Sequence, residues 1–312
     1  MHKQNVINLG IDNGAGVFQL QTTQNRYSME NKIDEVRYQA PEVKADNTYN
    51  VIYKGKQYLV GSGATNYTSQ IEGKDTEKHL IAMLVGLSQT VPNGFKINLG
   101  TGESMNKYFD KKHKEEMIRK FLGEHEITVD GDTYNYTFQN IHILPEGIGH
   151  KLLEPSKYKN KESYTIDIGA STANFIFSEK GLAPEEKTSF SFSLGMHKLV
   201  KNIETRLARA GFGEVNESKI ENFIKNGCKN EEVNNIVDEE IRKIINALEY
   251  NLKVRGVNLK STLIEEIEFV GGTSLCLKNA LKREYPNAVF IDEGNWVNAK
   301  GFAKFVVNKY SR

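Results

Sequence analysis

The chain has 312 residues with 41 basic and 40 acidic side chains, and a formal charge of +1 argues against a basic nucleic-acid-binding surface. Apolar residues make up 38% and charged residues 26%, which is typical of a globular protein and excludes disordered and fibrous classes. The longest apolar run, Leu80 to Leu87, is far shorter than the roughly 20 residues of a membrane-spanning helix. Because Met1 leads directly into a strand-like segment without the apolar region of a signal peptide, we expect a cytoplasmic location. The two cysteines, Cys228 and Cys276, lack the paired spacing of a zinc site.

The first part of the chain is predicted to consist of two hairpins and a helix. Val6–Ile11 and Val17–Thr22 alternate in polarity on either side of the turn Asp12–Gly16, which predicts a β-hairpin. A second hairpin is predicted within Asn50–Val60. The apolar spacing that follows predicts a helix over Asp75–Gln89, with its first residue as the N-cap.

The next elements are a strand, a helix, a hairpin and another strand. Phe95–Leu99 is predicted to be a buried strand that ends at Gly100-Thr101-Gly102. Lys111–Leu122 has apolar residues on one face and precedes a glycine, which predicts a helix. Ile127–Phe138 alternates around Asp130-Gly131, a strong hairpin signal, and Ile141–Leu144 predicts the next strand.

A polar, lysine-rich segment, Glu154–Glu162, predicts a domain boundary. The strand-turn-strand pattern then begins again, with strands predicted at Tyr164–Ile168 and Ala173–Ser178. Strands and helices alternate further on, and the predicted elements are helices near residues 196–207, 220–224 and 231–255, a strand at Ile267–Val270, a helix at Leu275–Glu284, a strand at Val289–Ile291 and a helix at Lys300–Tyr310. This alternation predicts the α/β class.

The most informative feature is an internal repeat of the pattern I-D-x-G-A. It occurs once in each half of the sequence, at Ile11–Ala15 and at Ile166–Ala170, each time between two predicted strands. Glycine turns expose backbone N–H groups that can converge on phosphate oxygens, and an aspartate at the strand end can hold a hydrated Mg²⁺. A single copy is common in ordinary hairpins. Two copies predict related halves that hold a magnesium nucleotide from opposite sides of a cleft.

Two further segments fit a nucleotide site. Val270-Gly271-Gly272-Thr273 lies between a predicted strand and helix, where an adenine ring could rest on the backbone and the helix N-terminus could face a phosphate. Glu146 follows the strand that ends in Leu144-Pro145, and a carboxylate there could orient an attacking water. A plain tight turn and a solvated loop glutamate are the alternatives for these two segments.

With these residues the chain resembles the actin-like ATPase superfamily, and within it the ParM-type plasmid-segregation actins. The superfamily has five motifs in order, and the candidates here are Asp12–Gly16, Pro145–Gly147, Asp167–Thr172, Val270–Thr273 and Asn298–Phe302. The resemblance implies an actin-like, ribonuclease H-like duplicated two-domain fold of the α/β class, with a nucleotide cleft between the halves. Domain I would comprise residues 1–160 and 297–312, with a small upper subdomain near 40–90, and domain II residues 161–296.

Three shorter segments are similar to the ParM type in particular. Asn98–Ser104 resembles the family's T-G-L-P segment, with Glu103-Ser104 in place of Leu-Pro. Tyr58–Gly61 looks like the family's Y-x-V-G stretch, and Gly195 resembles a family glycine near the nucleotide.

The resemblance also implies residue roles. Asp12 and Asp167 would lie near Mg²⁺ and hold it mostly through water, and Glu146 would activate the attacking water, so that these three are the catalytic candidates. The residues that would line the nucleotide are Asn13, Gly14, Ala15, Gly16, Gly169, Ala170, Ser171, Thr172, Gly195, Gly271, Gly272 and Thr273.

The function implied by the resemblance is hydrolysis of ATP or GTP, with Mg²⁺, coupled to the turnover of a helical filament of this chain. The family also implies an adaptor protein bound to plasmid centromere DNA. Direct DNA binding is not expected, because the lysines of Lys111–Lys114 are followed by glutamates and fit a solvated helix face. Two alternatives stay open, a small-molecule (sugar-type) kinase and a nucleotide-binding regulator that does not polymerise.

Overall fold

The computed structural model describes residues 5–36, 45–68, 73–261, 264, 266–292 and 296–311. The chain divides into two compact units. Unit 1 comprises Met1–Lys159 and Trp296–Arg312, and unit 2 comprises Asn160–Asn295. None of the described helices combines the length and hydropathy that a membrane span requires.

Within the described residues, unit 1 is built on a nine-stranded sheet. Its strands in chain order are β1 (Val6–Asn13), β2 (Val17–Gln21), β3 (Arg26–Glu30), β4 (Ile33–Val36), β5 (Thr48–Tyr53), β6 (Lys56–Gly61), β7 (Lys96–Glu103), β8 (Gly123–Val129) and β9 (Asp132–Pro145). The spatial order is β3-β2-β1-β7-β9-β8-β5-β6-β4. Strands β1, β7 and β9 are parallel neighbours. Their carboxyl ends therefore meet at one edge of the sheet.

The helices of unit 1 are α1 (Glu77–Ser88), α2 (Met105–Phe109), α3 (Lys111–Phe121), α4 (Gly149–Leu153), α5 (Pro155–Tyr158) and the C-terminal helix α11 (Val297–Tyr310). Helix α11 packs closely on β1 and β7 because these strands carry glycines at the contact. A Cβ atom at Gly100 would lie 2.9 Å from the carbonyl oxygen of Phe302, and one at Gly102 would lie 2.8 Å from its ring. The core between sheet and helices includes Leu9, Phe18 and Leu99, all fully buried.

Unit 2 contains five described strands: β10 (Ser163–Ile168), β11 (Thr172–Ser178), β12 (Phe190–Ser193), β13 (Ile267–Val270) and β14 (Ala288–Phe290), in the order β12-β11-β10-β13-β14. Its helices are α6 (Met196–Arg209), α7 (Glu217–Asn226), α8 (Glu231–Val254), α9 (Gly272–Cys276) and α10 (Lys278–Glu284). The apolar stripes of the three longer helices supply its core, in which Ile203, Leu207 and Leu248 are almost fully buried in one cluster with Phe269.

The repeat seen in the sequence is confirmed by strand order and direction. In unit 1 the strands β3, β2 and β1 are antiparallel neighbours, and β7 and β9 continue parallel to β1. In unit 2 the strands β12, β11 and β10 are antiparallel neighbours, and β13 and β14 continue parallel to β10. The two units thus repeat one five-strand pattern, and each I-D-x-G-A segment connects the first strand to the second. The predicted α/β class and duplicated two-domain fold are confirmed.

Four local predictions differ from the structure. The N-cap of α1 is Thr76 and not Asp75, whose carboxylate instead pairs with Lys120 of α3. The strand predicted to end at Leu99 continues through residues 100–102 as β7, because neighbouring strands and the close approach of α11 hold these residues in the sheet. The strand predicted at 141–144 is the end of the long strand β9. The helix predicted at 275–284 begins at Gly272 and is interrupted at Leu277.

Other differences are smaller. The last helix begins at Val297, three residues before the predicted start. Strands β3, β4 and β12 and the short helices α2, α4 and α5 have no counterpart in the predicted elements. The predicted hairpins at the N-terminus, at 50–60 and around Asp130-Gly131 are confirmed.

Candidate functional site

The carboxyl ends of the three parallel strands of unit 1 bring together three acidic residues. Asp12 stands near the end of β1, Glu103 ends β7, and Glu146 directly follows β9. Lys74, from the segment before α1, reaches into this cluster with its side chain only 2% exposed. Its Nζ forms an ion pair with Glu146 Oε1 and lies 3.7 Å from Asp12 Oδ1.

A further set of hydrogen bonds fixes this cluster. Asn298, in the first turn of α11, donates from Nδ2 to Asp12 Oδ2 at 3.2 Å. Its Oδ1 accepts from the backbone N–H groups of Gly147 at 3.1 Å and Gly149 at 3.3 Å. The Asn298 side chain therefore joins Asp12 to the backbone that follows Glu146.

The charged groups of the cluster shift one another's pKa values. Burial raises the pKa of Glu146, and the neighbouring carboxylates of Asp12 and Glu103 add to the effect, while Lys74 opposes it. Burial alone would lower the pKa of Lys74, but the three carboxylates outweigh it and raise that pKa. Lys74 therefore stays a cation, and Glu146 accepts a proton more readily than an exposed glutamate does.

The first glycine turn, Gly14–Gly16, is held from behind by polar side chains. Asn13 is fully buried and donates from Nδ2 to the carbonyl oxygen of His79 at 3.0 Å. Asn31 donates to Asn13 Oδ1 and to the carbonyl oxygen of Gly14, both at 2.7 Å. The Asn13 side chain thus bonds within the protein, and its contribution to a ligand would come from the backbone.

In unit 2 the end of β10, which carries Asp167, lies beside the glycine-rich turn after β13. Asp167, 6% exposed, is opposite Val270 in the register of β10 and β13. Gly271 has φ +89°, and a Cβ atom there would collide with Asp167 Oδ1 and the carbonyl oxygen of Ile168. Thr273 Oγ1 donates to the carbonyl oxygen of Gly169 at 2.7 Å.

Gly195 completes the group in unit 2. A Cβ atom there would collide with the carbonyl oxygen of Ala170, so that only glycine fits this close approach. The backbone N–H of His197 donates to the same oxygen at 2.9 Å, and Ser171 Oγ lies 3.2 Å from His197 Nδ1. The turn itself is closed by the Gly169 N–H, which donates to the Thr172 carbonyl oxygen at 2.9 Å.

The structure thus brings together the sequence-predicted residues within each unit. Unit 1 places Asp12 beside Glu146, and the first glycine turn begins two residues after Asp12. Unit 2 gathers around Asp167 the predicted residues Gly169, Ala170, Ser171, Thr172, Gly195, Gly271, Gly272 and Thr273. Sequence reasoning did not find Lys74, and it treated Glu103 only as a departure from a family motif.

A resident metal ion would find few protein ligands. Among the described residues there is no group of three or more His, Cys, Asp or Glu side chains placed to hold one. Asp12 already shares its oxygens with Lys74 and Asn298. A Mg²⁺ ion, which keeps several waters when bound, suits such a site only if phosphate oxygens and water supply most of its ligands.

Comparison with known proteins identifies the fold. Residues 10–149 match the family model described as the N-terminal domain of actin-like proteins. The apo form of the psk41 ParM protein matches with a TM-score of 0.71 and 16% identity, over 99% of this chain and 100% of that one. The chain has an actin-like fold.

Two further solved structures resemble this actin-like chain. The Alp12 filament structure matches with a TM-score of 0.70 and 22% identity, over 98% of this chain and 100% of that one. The archaeal actin homolog Ta0583 in complex with ADP matches with a TM-score of 0.75 and 14% identity, over 97% of this chain and 99% of that one. No curated protein matches the sequence significantly. The predicted resemblance to the actin-like superfamily, with ParM-type proteins among its structural relatives, is confirmed.

Proposed function

We propose that this chain binds a nucleoside triphosphate with Mg²⁺, hydrolyses it, and assembles into a helical filament whose turnover depends on that hydrolysis. One observation carries the proposal. In each unit the second-to-last residue of a central strand is an aspartate and a glycine turn follows the strand, and in unit 1 this aspartate shares a buried lysine with Glu146. The ADP complex of one structural relative and the filament of another support it.

The glycine turns are proposed to bind the phosphates. Backbone N–H groups of Gly14–Gly16 and of Gly169–Thr172 would donate to phosphate oxygens, because successive N–H groups in tight turns form anion sites. Asp12 and Asp167 would accept hydrogen bonds from the water shell of Mg²⁺, which neutralises phosphate charge. The glycine-rich turn at Gly271–Thr273 and Gly195 would contact the nucleoside end. ATP is the proposed nucleotide, with GTP as the other base to be tested.

The buried cluster of unit 1 is proposed to carry the hydrolysis step. Glu146 would orient the attacking water and take its proton, since burial raises the pKa of this carboxyl. Lys74 would place a fixed positive charge where negative charge spreads over the transferred phosphoryl group. Asn298 holds both Asp12 and the turn after Glu146, so that these groups need little rearrangement.

The test is phosphate release by the purified chain at increasing protein concentration, with ATP or GTP, with and without Mg²⁺, and with and without sugars. We expect Mg²⁺-dependent release that rises more steeply than protein concentration and does not respond to sugars. Sugar-dependent ADP formation would favour the small-molecule kinase. Hydrolysis strictly proportional to protein concentration, with no light scattering, would favour the non-polymerising regulator. Failure of both ATP and GTP to bind would overturn the proposal.

The proposed partners are other copies of this chain and an adaptor protein bound to plasmid centromere DNA. The filament formed by the structural relative Alp12 supports the self-association. The adaptor is proposed from the resemblance of the sequence to ParM-type proteins. Purified filaments should leave bare DNA unshifted in a gel and should capture DNA only when a centromere-binding adaptor is added. A shift of DNA by the chain alone would contradict an adaptor-mediated link.

A further inference from the structure

Two buried residues behind Lys74 take no part in the chemistry above. Glu103 ends β7 with its side chain 1% exposed, and His113 lies in the first turn of α3 with its side chain 7% exposed. We propose that Glu103 and His113 are positioning residues that hold Lys74 against Glu146 and Asp12, and so set the rate of hydrolysis more than the affinity for nucleotide. The inference rests on the proposed function of this cluster.

Glu103 holds both partners of the Lys74–Glu146 ion pair. Its Oε1 accepts a hydrogen bond from the backbone N–H of Lys74 at 2.7 Å. Its own carbonyl oxygen accepts one from the backbone N–H of Glu146 at 2.9 Å. A single residue thus fixes the main chain on both sides of the ion pair, and the Lys74 side chain starts from a defined point.

His113 in turn fixes the Glu103 carboxylate. Its Nε2 lies 3.0 Å from the same Oε1 that Lys74 uses, while the backbone N–H of Ser104 donates to the other oxygen at 3.2 Å. The backbone N–H of His113 donates to Asp110 Oδ1 at 3.0 Å, which fixes the start of α3 and with it the ring. The carboxylate therefore has donors on both oxygens.

Gly73 makes this arrangement possible. It has φ +95°, and a Cβ atom there would lie 3.1 Å from His113 Nε2 and closer still to the ring carbon beside it. The segment before α1 therefore crosses directly over the imidazole, which puts the Lys74 N–H within reach of Glu103. A Gly-Lys pair in front of the helix is the sequence signal for this crossing.

The pair also adjusts the charge around Lys74. The hydrogen bond to Glu103 raises the pKa of His113, although burial opposes the shift. The charged groups that face His113 in the described part of the chain come from four elements, and they are Glu103 of β7, Asp75 before α1, Lys107 of α2 and Asp110 at the start of α3. Lys74 faces Glu103, the carboxylate that His113 contacts. When pH rises through the pKa of His113, its positive charge is lost, and the Glu103 carboxylate is no longer balanced by it and offsets more of the positive charge of Lys74. We expect the turnover rate to fall over that range.

The effect should lie mainly on turnover. The proposed phosphate donors are the backbone N–H groups of the glycine turns, and neither Glu103 nor His113 touches them. Lys74 acts on charge that develops during phosphoryl transfer, so its displacement affects the transition state more than the bound nucleotide.

The test uses the full chain with Glu103→Gln and His113→Gln, and with Glu115→Gln and His125→Gln as controls. Glu115 lies exposed on the same helix as His113, and His125 bonds Tyr53 and the backbone of Phe121 outside the cluster. We expect Glu103→Gln to lower kcat by about tenfold or more while the nucleotide Kd changes by less than about twofold. His113→Gln should lower kcat less and remove the fall of kcat with rising pH. Both controls should behave as the parent chain.

Amide hydrogen exchange of residues 73–80 without nucleotide separates this inference from the proposed function. We expect Glu103→Gln to speed exchange at Lys74 and the controls to leave it unchanged. If amide exchange at Lys74 is unchanged in Glu103→Gln, Glu103 does not hold the Lys74 backbone and the proposal is overturned. If exchange is faster but kcat and its pH profile are unaltered, the positioning role in hydrolysis is overturned. If the parent chain neither binds nor hydrolyses nucleotide, while Glu103→Gln still speeds amide exchange at Lys74, the proposed function fails but the contact between Glu103 and Lys74 stands.

Discussion

Thr273 Oγ1 donates a hydrogen bond to the carbonyl oxygen of Gly169, at 2.7 Å, and so ties the turn after β13 to the turn after β10. Because Thr273 is 2% exposed, this bond lies away from solvent. The two glycine turns of unit 2 therefore hold one fixed arrangement.

Replacing Thr273 should loosen that arrangement. Thr273→Val keeps the shape but leaves the Gly169 carbonyl without this donor, which we expect to lower the free energy of unfolding by about 1 kcal/mol. Nucleotide affinity should fall several-fold, because the turn proposed to bind phosphate loses its support. Thr273→Ser is the matched control and should keep both properties. Equal affinity in the Val and Ser variants, measured by fluorescent-nucleotide titration, would contradict the role given to this bond.

Gly271 is expected to be intolerant of any side chain. Gly271→Ala combines a left-handed backbone with a collision against Asp167, and we expect a loss of about 2–4 kcal/mol of stability together with nucleotide binding. Gly256→Ala is the control, because Gly256 has a similar φ of +79° in open space and should cost only about 1 kcal/mol. Thermal unfolding of both variants checks the difference. Similar losses in both would show that the contact with Asp167 is unimportant.

Glu146 and Asp167 are expected to govern turnover. Glu146→Ala and Asp167→Ala should still bind nucleotide and assemble, yet disassemble slowly, because hydrolysis is impaired. Glu146→Gln, which keeps a polar partner for Lys74, should separate chemistry from packing and slow phosphate release by about a hundredfold. Phosphate release and light scattering followed in one sample provide the measurement. Normal turnover in all three variants would remove both residues from the mechanism.

His79 makes the stability of the chain sensitive to acid. Burial lowers the pKa of His79 to about 4, and its ring bonds Thr76 Oγ1 at 2.7 Å. Since the unfolded chain binds this proton with an ordinary pKa of about 6.5, its contribution to stability is complete above that pH. It is lost as pH falls toward 4 and amounts to about 3 kcal/mol.

Urea unfolding between pH 7 and pH 4 measures this effect. We expect His79→Gln to flatten the loss of unfolding free energy with falling pH. His142, half-buried beside Tyr310, is the control, and His142→Gln should change the slope less. An identical slope in the parent chain and His79→Gln would show that this histidine is not the acid-sensitive group.

The strand ends that carry Asp12 and Asp167 were predictable because their signals are local. An aspartate two residues before a glycine, between alternating apolar runs, predicts a hairpin from few residues, and the repetition of this pattern indicated the duplicated fold. The position of Glu146 was also predictable from a local signal, because Pro145 and Gly147 mark the end of a strand.

The remainder of the site depends on contacts between distant parts of the chain. Lys74 reaches Glu146 only because the sheet brings residues more than seventy positions apart together, and no periodicity reports such a contact. Gly100 and Gly102 were predicted to follow the end of the strand, yet Phe302 of α11 packs on them and they lie inside β7. Tertiary packing thus overrode the local signal at the two glycines and created a contact at Lys74 for which there was no local signal.

Electron microscopy of the purified chain tests the central claim most directly. Samples with ATP and Mg²⁺, with ADP and Mg²⁺, and without nucleotide should be compared over a range of protein concentrations. We expect helical filaments with ATP above a critical concentration, and few or none in the other two samples. Single particles at every concentration, despite bound and hydrolysed ATP, would contradict a nucleotide-dependent filament.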